Sequence, residues 1–343
     1  MSRLFRSKAP LRLGLAGGGT DVPPYSDLYG GAVLNATINM YAYATIIPTD
    51  NGKIVFKSLD NGKNLVYEAT HALEIDGELD LLKGIYNRVV KDFSHKPLSF
   101  ELSTIVDAPP GSGLGTSSTL AVTILGAFAE WLKLPLGEYD LAKLAYEIER
   151  IDLQWAGGKQ DQYAATFGGV NFMEFFNGEK VVVNPLRVRS ETLDELAYNL
   201  VLFNTETSRM SSEIIALQSQ NIHNNDPKAL EASHKLKSQA LMMKEAVLKG
   251  ELDKIGEILD YGWQNKKQLA SGITNSMIDD LYQTAMDHGA SGGKISGAGG
   301  GGFLLFYCPN NSRQRVIEGL SKHGGVAHPY EFTVTGLKSW AVG

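Results

Sequence analysis

Three clusters of glycine, at residues 17–19, 111–115 and 297–302, constrain this chain more than any other feature of its sequence. Each lies between apolar segments of strand or helix character, so none is a floppy linker. Glycine grouped between regular elements marks backbone that turns sharply or approaches a ligand closely. The 37 glycines in 343 residues exceed the average rate, and three such places in one chain point to a binding cleft.

The elements around the clusters predict an α+β fold in two parts. The first half reads as strand-rich, with strands at 32–48, 53–58, 64–69 and 98–106 and tight turns at Asp50-Asn51-Gly52 and Asn61-Gly62. Apolar spacing predicts helices at 79–93, 117–132 and 138–150, followed by a hairpin over 169–176 and 180–184. After a strand at 198–204 come helices at 211–223, 227–249, 252–270 and 276–288. A strand at 303–307, a helix at 312–322 and a strand at 330–334 close the chain. Strands with few helices, then helices with returning strands, favour α+β over an alternating parallel sheet. The expected boundary lies near residue 190, dividing the chain into 1–190 and 191–343.

Composition narrows the partners. A formal net charge of −6 with both signs scattered argues against nucleic acid or an anionic membrane surface, and leaves room for a local basic pocket. The single cysteine, Cys308, permits no intramolecular disulfide and reads as a small apolar residue closing a strand. No run of eighteen apolar residues exists to span a membrane. Arg3, Arg6 and Lys8 precede no apolar stretch of the kind a secretory signal needs, so a cytoplasmic location is expected. The sequence leaves the oligomeric state open. Seven histidines show no metal-ligand spacing.

The second cluster carries the clearest chemistry. A strand ends near Asp107, Pro109-Pro110 stops the ladder, and Gly111, Gly113 and Gly115 alternate with Ser112 and Leu114. Thr116, Ser117, Ser118 and Thr119 then open an apolar helix, whose free N–H groups attract anions. The same residues also suit an ordinary tight turn with a hydroxyl cap. A Walker A loop would need a lysine after Gly115, and a Rossmann fingerprint a different glycine spacing and a ribose-binding acid. Neither is present.

Four further segments remain open between binding and plain structure. In Ala9-Pro10-Leu11-Arg12, Arg12 sits on an apolar strand that runs to Gly17, Gly18, Gly19, Thr20 and Asp21, where bared backbone and a carboxylate suit a polyol or simply cap a turn. Glu149 ends a helix and Asp161 opens another segment, either as caps and surface charges or as the metal-binding and hydroxyl-binding carboxylates of a phosphoryl transferase. Residues 294–303, with Gly299 and Gly300 at their centre, suit close packing on a ligand better than a glycine hairpin, because so many small residues are costly to order. Arg209, among hydroxyls at a helix start, either caps the helix or holds a second phosphate.

Taken together these segments resemble the GHMP kinases, the family of galactokinase, homoserine kinase, mevalonate kinase and phosphomevalonate kinase. The family's N-terminal Pro-x-Arg segment, its Pro-x-x-x-Gly-Leu-Gly-Ser-Ser loop and its C-terminal Gly-rich loop correspond in order and spacing to residues 10–21, 109–118 and 294–302. The resemblance implies a ribosomal-protein-S5-like N-terminal domain and a ferredoxin-like C-terminal domain, with ATP and Mg²⁺ as cofactors. It further implies that the loop binds ATP through Pro110, Gly111, Ser112, Gly113, Leu114, Gly115, Thr116, Ser117 and Ser118. Thr116 and Glu149 match the metal ligands, Asp161 the carboxylate beside the accepting hydroxyl, and Arg12 its basic partner.

The first motif with its following segment is similar to that of bacterial D-glycero-D-manno-heptose 7-phosphate kinases. This implies a sugar phosphate substrate and phosphorylation at the anomeric C1 hydroxyl on the way to a GDP-activated heptose. Gly18, Gly19, Thr20, Asp21, Arg209, Gly299 and Gly300 are the expected substrate contacts. Fucokinase-like and other small-molecule kinases of the family, and a non-catalytic sugar- or nucleotide-binding relative, stand as alternatives.

Overall fold

The computed structural model describes residues 3–207 and 211–343. Strand β1 (Leu4–Ala16) runs into the first glycine cluster and a short helix α1 (Tyr25–Tyr29), and β2 (Gly31–Pro48) returns antiparallel beside β1. The hairpin β3 (Lys53–Ser58) and β4 (Lys63–Glu68) follows, then α2 (Asp80–Val89) and β5 (Phe100–Val106). The second cluster opens α3 (Thr116–Leu132), which is succeeded by α4 (Glu138–Glu147), α5 (Gln160–Phe167) and the hairpin β6 (Val170–Phe175) and β7 (Val181–Pro185). Helix α6 (Ser190–Asn199) feeds β8 (Leu200–Asn204), and four helices come next: α7 (Ser211–His223), α8 (Pro227–Lys249), α9 (Ile255–Lys266) and α10 (Ser276–Asp287). Strand β9 (Gly292–Ile295) enters the third cluster, and β10 (Phe303–Tyr307), α11 (Arg313–Ser321), β11 (Val326–His328) and β12 (Lys338–Val342) complete the chain.

Two sheets result. The first has the order β12-β1-β2-β5-β3-β4, with β6 and β7 continuing from β2. Only β3 and β5 pair in parallel within it; the other pairs are antiparallel. Helix α3 lies on this sheet with Ala121, Val122, Ile124, Leu125, Ala127 and Phe128 fully buried, which explains why its sequence is apolar on all faces. The second sheet has the order β11-β8-β10-β9. Numbered within itself that order is 4-1-3-2, the ferredoxin-like arrangement, in which α7 to α10 form the first crossover and α11 the second. The α+β class expected from the sequence is present.

Local signals placed many of these elements. Gly52 and Gly62 take φ of 71° and 63° in their turns, a region disfavoured for residues with a Cβ. Asp226 caps α8 by accepting from Ala229 N at 2.8 Å, Pro227 occupies the first turn, and Gly250 ends the helix at φ 73°.

Two expectations need correction. The closing strand is Lys338–Val342, not 330–334, and it pairs with β1, while only Phe332 of the expected segment bridges to Ile38. A Cβ at Gly336 would overlap the Thr166 carbonyl, so a glycine is needed where the chain passes before rejoining the sheet. The expected boundary near 190 falls between β7 and β8, but the last strand returns to the first sheet, so the sheets do not divide cleanly along the sequence. Strand β9 opens on two glycines because Gly292 and Gly293 must pass against the Gly256 carbonyl and the Phe306 ring, where a Cβ would overlap. Cys308 follows β10 fully buried, with burial pushing its thiol up to about 12, as suits an inert core residue.

Candidate active site

The three glycine clusters converge on one cleft of about 910 Å³, within the range of ligand sites. In the second cluster Gly111, Gly113 and Gly115 take φ of 77°, 80° and 79°, so every other residue sits in the left-handed region. This alternation splits the loop. The glycines with Pro110, Thr116, Ser117 and Ser118 line the cleft. Ser112 and Leu114 do not: Leu114 is fully buried in the core between the sheets, and its carbonyl accepts from Arg12 N at 3.1 Å. The Ser112 hydroxyl accepts from Leu114 N at 3.3 Å, and its carbonyl accepts from Phe303 N at 3.1 Å. Both therefore anchor the loop from behind rather than touch a ligand. A Cβ at Gly113 would overlap the Ser296 carbonyl, which binds the second cluster to the third. Helix α3 begins here, with its first-turn amides facing the cleft.

Glu149 lies in a π-helical turn, Ile148–Asp152, that widens the end of α4, a deviation that often marks function. The turn carries Glu149 to the start of α3, where it is 1% exposed. Its Oε1 accepts from Ser117 Oγ at 2.9 Å and its Oε2 from Gln162 Nε2 at 2.6 Å. The hydroxyl facing Glu149 is thus that of Ser117; Thr116, one residue earlier on the helix, lines the cleft without meeting the carboxylate. Successive helical residues point about 100° apart, so one residue decides which hydroxyl faces the acid. An octahedral Mg²⁺ with ligands at about 2.1 Å holds adjacent oxygens about 3 Å apart, and the Ser117–Glu149 spacing fits it. Mg²⁺ takes few protein ligands and completes its shell with water and phosphate, consistent with the lack of any cluster of three acidic, His or Cys groups among the described residues.

Asp161 occupies the first turn of α5 and meets Arg12 of β1 across the cleft floor. Arg12 Nε and Nη2 both reach Asp161 Oδ1, at 2.7 and 2.6 Å, and Nη1 donates to the Gly113 carbonyl at 2.6 Å. A break in β1–β2 register between Pro10 and Arg12 accompanies this placement. Arg12 is 5% exposed, whereas the second carboxylate oxygen of Asp161 lies against Gly115 at the head of the loop. One oxygen is held by Arg12, and the other faces the head of the loop.

In the first cluster, Gly18, Gly19 and Asp21 line the cleft. Asp21 accepts from Gly19 N at 3.1 Å, Gln160 N at 3.1 Å and Gln160 Nε2 at 3.0 Å, so it ties the cluster to the residue preceding Asp161. Thr20 does not face the cleft. It is fully buried, and its hydroxyl lies within donating distance of the Gly17 and Ala32 carbonyls, which compete for its one hydrogen, and accepts from Ala32 N, so it is engaged away from the cleft. In the third cluster the cleft is lined by Gly297 and Ala298. Gly299 and Gly300 pack instead on Ile273, whose carbonyl accepts from Gly300 N at 2.9 Å and leaves no space for a Cβ at Gly299. Arg209 lies outside the described residues.

Sequence reasoning assigned no role to four groups that the fold brings here. Gln162 bridges Glu149 and Ser118, and Gln218 donates to the Gly19 carbonyl at 3.0 Å. Lys294 donates to the Gly14 carbonyl at 2.6 Å, and burial, with Lys266 and Arg12 adding, lowers its pKa well below the lysine norm. Lys266 ends α9 almost fully buried, and its pKa falls to about 8, chiefly through burial, with Asp21 opposing and Arg12 adding. Lys294 was visible beside its glycines. Lys266 carried no such signal, since a Lys-Lys pair ending an amphipathic helix looks like solvated surface.

The description GHMP kinases N terminal domain matches residues 80–169, and GHMP kinases C terminal matches 243–326. The chain is 48% identical over 340 residues, covering 99% of itself and 100% of the other, to the D-glycero-alpha-D-manno-heptose 7-phosphate kinase of Campylobacter jejuni. A crystal structure of a D-glycero-D-manno-heptose 1-phosphate kinase from Bacteriodes thetaiotaomicron superposes with a TM-score of 0.85 at 45% identity, covering 99% of both chains. The bifunctional fucokinase/GDP-fucose pyrophosphorylase of Arabidopsis thaliana is 26% identical over 94% of this chain but only 31% of its own length. With family matches in both halves and near-half identity to a full-length relative, the chain belongs to the GHMP kinases and is a kinase that uses ATP.

Proposed function

We propose that this protein transfers the γ-phosphoryl group of ATP to the anomeric C1 hydroxyl of D-glycero-D-manno-heptose 7-phosphate, giving the 1,7-bisphosphate. The observation that carries the substrate is the end-to-end 48% identity with the heptose 7-phosphate kinase of Campylobacter jejuni. The cleft supports the chemistry. The amides of Gly111, Gly113, Gly115, Thr116 and Ser117 cradle the triphosphate, and Asp161 accepts the C1 hydroxyl proton as that oxygen bonds to phosphorus and the bond to the β-phosphate oxygen breaks. Arg12 holds Asp161 in place through one oxygen and remains beside the developing charge. Ser117 and Glu149 are the residues that would hold Mg²⁺, which when bound neutralises phosphate charge. An anomeric hydroxyl is more acidic than a simple alcohol, so orientation by Asp161 carries much of the effect.

The names of the two similar heptose kinases place phosphate at opposite ends of the sugar. ADP release measured in parallel with heptose 7-phosphate, heptose 1-phosphate, fucose, galactose and mevalonate tests the reading. Turnover is expected to be highest with heptose 7-phosphate and to yield a 1-phosphate ester. A higher kcat/KM with heptose 1-phosphate or fucose refutes it.

A further inference from the structure

One buried cation of the cleft, Lys266, has no part in the phosphoryl transfer described above. Arg12 is paired with Asp161, and Asp21 already accepts from three N–H donors. Lys294 is 7% exposed and spends one donor on the Gly14 carbonyl. Lys266 is 4% exposed, lines the cleft, and has no hydrogen bond or ion pair for its ammonium among the described residues. Arg12, Lys266 and Lys294 share the cleft with Asp21 and Asp161, and Glu149, Arg150 and Glu213 line it as well, so Lys266 stands apart by its lack of a partner and not by a surplus of charge. A buried ammonium without a partner is costly, and an anion placed beside it removes that cost.

The position of Lys266 separates it from the triphosphate loop. Three residues after it, Leu269 packs against Gly19, so the end of α9 is seated on the first glycine cluster. The second cluster packs instead on Ser296 and Phe303. Between these two ends lies the Arg12–Asp161 pair. An anion at Lys266 would therefore stand on the far side of the reacting hydroxyl from ATP.

We propose that Lys266, supported by Lys294, binds a phosphate monoester carried by the sugar at the end away from the hydroxyl that is phosphorylated. This rests on the heptose phosphate reading above. Burial, with Arg12 adding, lowers the Lys266 pKa to about 8, and a phosphate dianion beside it would raise it again.

The test compares wild type with Lys266→Met, and with Lys266→Gln should the first variant fold poorly, using phosphorylated and unphosphorylated heptose. The ratio of kcat/KM for the two substrates is expected to fall at least about 30-fold, as when one member of a desolvated charge pair is lost. The loss should appear in KM for the phosphorylated sugar, and Lys266→Arg should recover part of it. Separately, inorganic phosphate should raise the melting temperature of wild type and not of Lys266→Met. An unchanged ratio in a folded variant overturns the assignment. So does an equal loss of kcat on both sugars, which would place Lys266 at the transferred group. Should wild type fail to turn over heptose 7-phosphate, the substrate reading falls, and the phosphate-dependent melting shift alone decides the role of Lys266.

Discussion

Replacing Asp161 by Asn isolates the proton-accepting role from the shape of the site. Arg12 Nε and Nη2 both bond to Oδ1, so an asparagine can turn its carbonyl oxygen to Arg12 and keep both contacts. Its amide nitrogen then takes the place of Oδ2 against Gly115, where it offers a donor to a hydroxyl that needs an acceptor. General-base assistance is worth about 10²–10⁴ in rate, a barrier change of about 3–5 kcal/mol. The acidity of an anomeric hydroxyl places the expected loss of kcat towards the lower end, near 10²-fold. With Arg12 held in place its bond to the Gly113 carbonyl persists, so KM for ATP should stay within about threefold. Steady-state ADP release at varied ATP and sugar, with ATP affinity measured separately, reads both quantities. A kcat within about tenfold of wild type would refute the proton-accepting role. Loss of ATP binding would instead show that the Arg12–Asp161 pair builds the loop.

Ser117→Ala should raise the Mg²⁺ concentration giving half-maximal rate by about 10-fold or more, while Thr116→Ala changes it by about twofold or less; the reverse ranking returns the metal to Thr116. Gly158→Ala would drive a methyl into the Asp21 carboxylate, so a loss of about 1–3 kcal/mol of stability together with lower kcat is expected in chemical unfolding and turnover assays. Unaltered stability would show that the Asp21–Gln160 link is slack. Lys266, with a folded pKa near 8 against an ordinary lysine value near 10.5, is protonated in the unfolded chain but not the folded one between those limits. Raising pH through that window therefore stabilises wild type relative to Lys266→Met. The variant's advantage in melting temperature at pH 7 should shrink by pH 10, and a constant difference would contradict the depressed pKa.

The order of the glycine clusters, the hydroxyls opening α3 and the presence of Arg12, Glu149 and Asp161 were all legible in the sequence. They are local properties: a glycine forced to positive φ, a helix start lacking Cβ-bearing neighbours, a charge set next to either. Other features depended on which elements meet. Ser117 rather than Thr116 faces Glu149 because the phase of α3 is set by its burial on the sheet, not by its own residues. Thr20 turns inward because β2 passes behind it and supplies Ala32 as its partner. The last strand lies beside β1, more than 300 residues away in the chain, through a pairing that no short-range pattern encodes. Lys266 shows the limit most plainly. Its helix carries the charge spacing of a solvated surface, and the packing of α9 on other elements, with Leu269 against Gly19, buries that ammonium in the cleft. Sequence alone determined the chemistry this chain possesses, since that resides in side chains and local backbone. Tertiary structure decided which groups share the site, because burial and charge proximity are properties of contacts between distant segments.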